Sequence, residues 1–142
     1  MRIQTDNKDL DYLKEEINSS PFFRHMGMEL THLSEGYALI SFPFQDRLRN
    51  SFGTLHGGVI GSLADSAGGV AIRTLVGPQK ITTVEFKVNF LSPVQGGELY
   101  AEGRVVRKGS RIAVAEVEVR DEVGRSIAVA LATYMVLEDR LP

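Results

Sequence analysis

The chain has 142 residues, 43% of them apolar and 24% charged, the profile of one globular domain with a core of its own. Its 16 basic and 18 acidic side chains leave a net charge of −2, so neither nucleic acid nor an anionic membrane is the expected partner. The absence of cysteine excludes disulfides, thiolate nucleophiles and Cys-ligated metals, and fits a reducing cytoplasm.

The N-terminus, "MRIQTDNKDLDYLKEE", is too polar for a signal peptide. The spacing predicts a short helix over about 7–19. Asp6 or Asn7 can cap it, Leu10, Leu13 and Ile17 share one face, and Pro21 stops it. Phe22 and Phe23 then read as an anchor to the core. "MELTHLS" and "YALISFPF" are strand-like runs around an "EG" turn, followed by the polar loop "QDRLRNSFGTLHG".

A helix is predicted over 57–75, ended by Gly77 and Pro78. Asp65 and Arg73 interrupt it, so no stretch is expected to span a bilayer. Four strands complete the chain. In "TTVEFKVNFL" the apolar Val84, Phe86, Val88 and Phe90 alternate with Thr83, Glu85, Lys87 and Asn89. "ELYAEGRVVR", "RIAVAEVEVR" and "SIAVALATYMVL" are separated by the hairpin-like "KGS" and "DEVG". Hairpin connections make an antiparallel sheet. The class is therefore α+β, in a single domain over 1–142, with one long helix available to fill the sheet's concave side.

That helix is oddly built. "NSFGTLHGGVIGSLADSAGG" holds 6 glycines in residues 50–69, and each glycine inside a helix costs roughly 1 kcal/mol relative to alanine. On a helical wheel Val59, Ile60, Leu63, Ala64, Ala67, Val70 and Ala71 form one apolar stripe. Gly58, Gly61, Ser62, Gly68 and Gly69 surround Asp65 on the opposite face. A solvated face would carry Lys, Glu or Gln instead. The small residues point to the close approach of a ligand or of another backbone.

At the helix start the N–H groups of Gly57 and Gly58 have no intrahelical partner and carry the positive end of the dipole. A thioester or ester carbonyl gaining negative charge would be stabilised there. The bland readings are a solvated Asp65, glycines that merely turn the chain, and an ordinary surface His56 and loop Asn50. Other chemistries fail on order or spacing. "ADSAG" approaches a nucleophile elbow, but Ser66 lies within a helix and no histidine follows it. His25, His32 and His56 lack metal-ligand spacing.

"NSFGTLHGGVIGSLAD", "TTVEFKVNFLSPVQGG" and "RVVRKGSRIAVAEVEV" together resemble the hotdog-fold acyl-CoA thioesterases of the phenylacetate-degradation (PaaI-like) type, over roughly residues 20–138. The resemblance implies a long helix wrapped by an antiparallel sheet, homodimers with shared active sites assembled into homotetramers, and acyl-CoA hydrolysis with no metal or cofactor. It makes Asp65 the catalytic base or nucleophile, and Gly57 the backbone donor to the thioester carbonyl. Asn50 and His56 match residues that position the water or the leaving group. Thr83 matches a hydroxyl near the acid, and Phe90 belongs with it to the substrate-binding set. Lys108, Gly109, Ser110 and Arg111 form a hairpin suited to the CoA phosphates. The alternatives are a non-enzymatic acyl-CoA-binding sensor or scaffold, and a hotdog hydratase or dehydratase. The acyl group itself stays open among aryl, short and medium chains.

Overall fold

In the computed structural model, which describes residues 7–137, two short helices precede the sheet: α1 (Asn7–Asn18) and α2 (Pro21–Met26). The Asp6 end of the expected cap lies outside the described residues. Leu13, Ile17 and Phe23 are buried, as the one-face spacing requires. Pro21 follows the end of α1, as expected, but it also opens α2. With no N–H to satisfy and φ already fixed, proline suits a first helical turn as well as it ends a preceding one. Asn18 ties α1 to the sheet in two places: its amide donates to the Leu30 carbonyl at 3.0 Å, and its oxygen accepts from the Leu30 N–H at 2.7 Å.

The strands are β1 (Glu29–Ser34), β2 (Tyr37–Pro43), β3 (Ile81–Phe90), β4 (Glu98–Lys108), β5 (Ile112–Asp121) and β6 (Ser126–Val136). They form one antiparallel sheet in the order β1-β2-β4-β5-β6-β3. The long helix α3 (Gly57–Val76) lies across its concave face. Leu63, Ala67 and Ala71 are fully buried against Leu30, Ile40, Leu99 and Val119, and Ile72 against Ala113, Ala115 and Tyr134, in an apolar core that supplies most of the driving force. Helix and sheet approach closely at β4. A Cβ at Gly103 would run into the Ala67 carbonyl, so this position needs glycine.

By length and composition α3 is long and apolar enough to cross a membrane, with a mean hydropathy of 1.3, so Asp65 and Arg73 do not interrupt it as expected. What assigns it to the core is its surroundings: 72% of that window is buried inside the fold.

Edge strand β3 departs from the simple alternation read in the sequence. Thr83 pairs with Tyr134 and Glu85 with Thr133, so Val84 is an extra, bulged residue. A bulge shifts the parity of a strand. Above it Phe86, Val88 and Phe90 face the helix; below it Thr83 and Ile81 do. Phe86 and Phe90 face α3 yet stay 42% and 57% exposed, because β3 overhangs the helix's glycine side.

Candidate active site

α3 and β3 run antiparallel, and their residues meet in sequence. A Cβ at Gly57 would lie 3.4 Å from the Phe90 ring, and one at Gly61 3.6 Å from Phe86. One turn further on, the Thr83 hydroxyl donates to Asp65 Oδ1 at 2.8 Å. The bulge at Val84 makes this contact, since unbroken alternation would have turned Thr83 away. Gly57, Gly61 and Asp65 line a groove of about 400 Å³ walled by Phe86, Val88 and Phe90.

Asp65 is half-buried. Its main-chain carbonyl accepts a 2.7 Å hydrogen bond from the Tyr134 hydroxyl. Burial, and next the nearby Asp65 charge, raise the Tyr134 pKa above its ordinary value, so the phenol remains a protonated donor. Tyr134 also corrects the reading of the helix's small-residue face. A Cβ at Gly68 would sit 2.6 Å from the Tyr134 oxygen, and one at Gly69 3.3 Å from its ring. Those two glycines make room for the chain's own tyrosine, Gly58 makes room for the His56 ring, 2.9 Å from a Cβ there, and Gly57 and Gly61 face the rings of Phe90 and Phe86.

The helix start is corrected as well. His56 is the N-cap, and its Nδ1 accepts from the Gly58 N–H at 2.8 Å. A neutral His56 therefore carries its proton on Nε2. The Gly58 N–H is taken, which leaves the Gly57 N–H as the donor without a partner among the described residues. Asn50 shapes the approach: its oxygen accepts from the Phe52 and Thr54 N–H groups at 2.9 and 3.2 Å, and its amide donates to Thr54 Oγ1 at 2.9 Å. The loop then enters the helix through the Leu55 N–H to Val94 carbonyl bond, 2.8 Å, and the His56 N–H to Leu48 carbonyl bond, 2.9 Å.

Residues 52–128 match the model of the thioesterase superfamily. The chain belongs to that superfamily. Its relatives include the medium/long-chain acyl-CoA thioesterase YigI of Escherichia coli, 34% identical over 132 residues, covering 82% of this chain and 85% of YigI. A thioesterase family protein from Silicibacter pomeroyi is 30% identical with a TM-score of 0.85, over 91% of this chain and 98% of that one. E. coli PaaI, from the phenylacetic acid degradation operon, has the same fold at 20% identity, with a TM-score of 0.85 over 92% of this chain and 94% of its own. The fold is the hotdog of PaaI-like thioesterases, and the enzyme is a hydrolase of thioester bonds.

In this thioesterase chain the groove joins Asp65 to Gly57 but does not let them act on one atom. Eight residues at ~1.5 Å rise separate them by about 12 Å along the axis. Lys108, Gly109, Ser110 and Arg111 lie apart from the groove, where β4 turns into β5. The Gly109 N–H donates to the Ile112 carbonyl at 2.8 Å, and the Arg111 carbonyl accepts from the Val136 N–H at 2.6 Å. Neither Lys108 nor Arg111 forms an ion pair among the described residues, and both are exposed. Ala113, Tyr134 and Thr83 form one cross-strand row, so this hairpin emerges at the Asp65 end of the sheet.

The sequence reading missed Tyr134 and Phe86 as site residues. A signal for Tyr134 existed. Ala128, Ala130 and Ala132 occupy the helix-facing positions of β6, and the sudden change to tyrosine falls opposite the smallest part of the helix.

Proposed function

We propose that this thioesterase hydrolyses acyl-CoA to free acid and CoA, with Asp65 as the catalytic carboxylate. The observation that carries this reading is the half-buried Asp65 held through Oδ1 by Thr83, at one end of an apolar groove. The second oxygen, Oδ2, is then the one that takes a proton from water or attacks the thioester carbon. The Gly57 N–H, at the positive end of α3, polarises the thioester carbonyl and binds the oxyanion that follows. His56 and Asn50 hold the loop and helix start so that this N–H points outward. The YigI name, medium/long-chain acyl-CoA thioesterase, supports an acyl-CoA substrate.

Because Gly57 and Asp65 of one chain stand too far apart, each site takes Asn50, His56 and Gly57 from one subunit and Asp65 and Thr83 from another. The edge strand β3, with Val84, Phe86 and Phe90 all more than 40% exposed, supports burial against a second copy of the chain. Leu131 and Met135 on the outer sheet face, 51% and 40% exposed, support a further association into tetramers. The cysteine-free composition is compatible with a cytoplasmic location.

A panel of acyl-CoA thioesters, with free CoA followed by a thiol-trapping dye, tests the reaction. Asp65→Asn is expected to lower kcat by on the order of 10²-fold or more while KM and the fold change little. A fully active variant would remove Asp65 from the mechanism. A wild-type protein that binds acyl-CoA without releasing CoA would make it a sensor or scaffold.

A further inference from the structure

Asp65 borders a second cleft, on the side away from Gly57. Ile17, Phe22, Phe23, Val70, Ile81 and Tyr134 supply its apolar walls, and its volume is about 370 Å³. Phe22 is 49% exposed and leaves an aromatic surface open to an occupant. Along the helix the floor is Ser66, Gly69 and Val70, all beyond Asp65 in the chain. This cleft stops at Arg73, whose Nη2 lies 3.2 Å from both oxygens of Glu16 on α1.

Beyond the ion pair lies a larger hollow of about 730 Å³, between α1 and the Pro78 turn. Leu10, Tyr12 and Leu13 line it, and Tyr12 is 71% exposed. Glu16, Arg73 and Ile81 belong to the rims of both spaces. Between a cleft that starts at the candidate acid and a hollow large enough to extend it, the partition is thus one side-chain pair and one isoleucine.

We propose that the Arg73–Glu16 ion pair sets the acyl-chain length this thioesterase accepts, by closing the Asp65 cleft against the hollow under α1. This rests on the acyl-CoA reading above and adds the substrate class: a straight acyl group of medium length. Arg73 follows Asp65 by eight residues, about 12 Å of helix rise. Helical side chains lean toward the N-terminus, so the guanidinium shortens that run. An extended chain advances about 1.2 Å per bond, as three backbone bonds span 3.3–3.6 Å per residue. An acyl group of roughly eight carbons therefore fills the cleft, and a longer one meets a charged pair instead of an apolar wall. Its terminal methylenes would strip water from those charges and offer nothing in return. The pair is also partly solvated, with side-chain exposures of 30% and 49%, so substitution can open it at little cost to the fold.

The test is a series of straight-chain acyl-CoA substrates from about four to about sixteen carbons, read as kcat/KM for wild type, Arg73→Ala, Glu16→Ala and Arg73→Lys. Each methylene newly buried is worth about fourfold in affinity. Wild type should peak near eight carbons. In Arg73→Ala the ratio of kcat/KM for twelve carbons over eight should rise by about tenfold or more, and Glu16→Ala should shift the same ratio in the same direction. Arg73→Lys, which keeps a cation for Glu16, should stay near the wild-type profile. An unchanged ratio in both alanine variants, or an equal change at every chain length, would overturn the length limit. Glu16→Ala, on the exposed side of α1, keeps the test open if Arg73→Ala does not fold. Wild-type protein inactive on every acyl-CoA would refute the acyl-CoA reading itself, and the length limit with it. An active enzyme with an unmoved profile would refute the length limit alone.

Discussion

Thr83 and Tyr134 face each other across β3 and β6 and hold the two ends of one residue. Thr83 donates to the Asp65 carboxylate at 2.8 Å, and Tyr134 donates to the Asp65 main-chain carbonyl at 2.7 Å. The sheet thus fixes both the backbone and the side chain of the candidate acid. This pair gives the first two predictions.

Thr83→Val keeps the shape of the side chain and removes the donor. Hydrogen bonds to charged groups are worth about 1.5–3 kcal/mol, so kcat should fall by roughly 10- to 100-fold. Thr83→Ser keeps the hydroxyl and should retain most of the activity. Steady-state kinetics on both variants decide the matter. Wild-type turnover in Thr83→Val would show that the bond does not orient the carboxylate for reaction.

Tyr134→Phe should lower stability by about 1 kcal/mol near neutral pH through the lost hydrogen bond. The pH dependence carries a separate sign. The folded Tyr134 pKa is raised above its ordinary value of 10.0, first by burial. Its contribution to stability is therefore fully present below pH 10. Above pH 10 the unfolded chain releases the phenol proton while the folded chain keeps it, so stability falls as pH rises. Urea unfolding at pH 8 and at about pH 11 should show a steeper alkaline loss for wild type than for Tyr134→Phe. Parallel losses would mean that Tyr134 ionises in the folded protein as it does in the unfolded one.

Much of this was legible in the chain, and what was not has identifiable causes. The element order followed from periodicity and from the hairpin turns. The central helix announced itself through Leu63, Ala67 and Ala71 on one side and Asp65 on the other. The bulge at Val84 was invisible, because a two-residue alternation gives no sign of where one extra residue is absorbed. It reversed the facing of Thr83, which the family resemblance nevertheless placed beside the acid. The glycines were legible as a demand for space, but not as a statement of what fills it. Gly68 and Gly69 admit Tyr134 from a strand more than sixty residues later, a tertiary contact that no local pattern encodes. The use of His56 as a cap was likewise hidden, since histidine is not among the residues that usually signal a helix start.

Lys108 and Arg111 on the β4–β5 hairpin provide a test of the leaving-group contact. If they meet the CoA phosphates, reversing both charges should raise KM for CoA thioesters roughly tenfold at low salt, and less as salt screens the contact. A short pantetheine thioester, which lacks the nucleotide phosphates, should keep its KM. Equal losses on both substrates would reject the contact.

The central claim is that two chains complete one site, and subunit complementation tests it most directly. Asp65→Asn removes the carboxylate from one half-site. Asn50→Ala removes the side chain that holds residues 52 and 54, and with it the loop that presents Gly57. Each homodimer should be inactive. After mixing under conditions of demonstrated subunit exchange, half the dimers are mixed, and each holds one intact and one doubly damaged site. Activity should then recover to roughly a quarter of wild type. No recovery despite exchange would place both residues in the same chain's site and contradict the account.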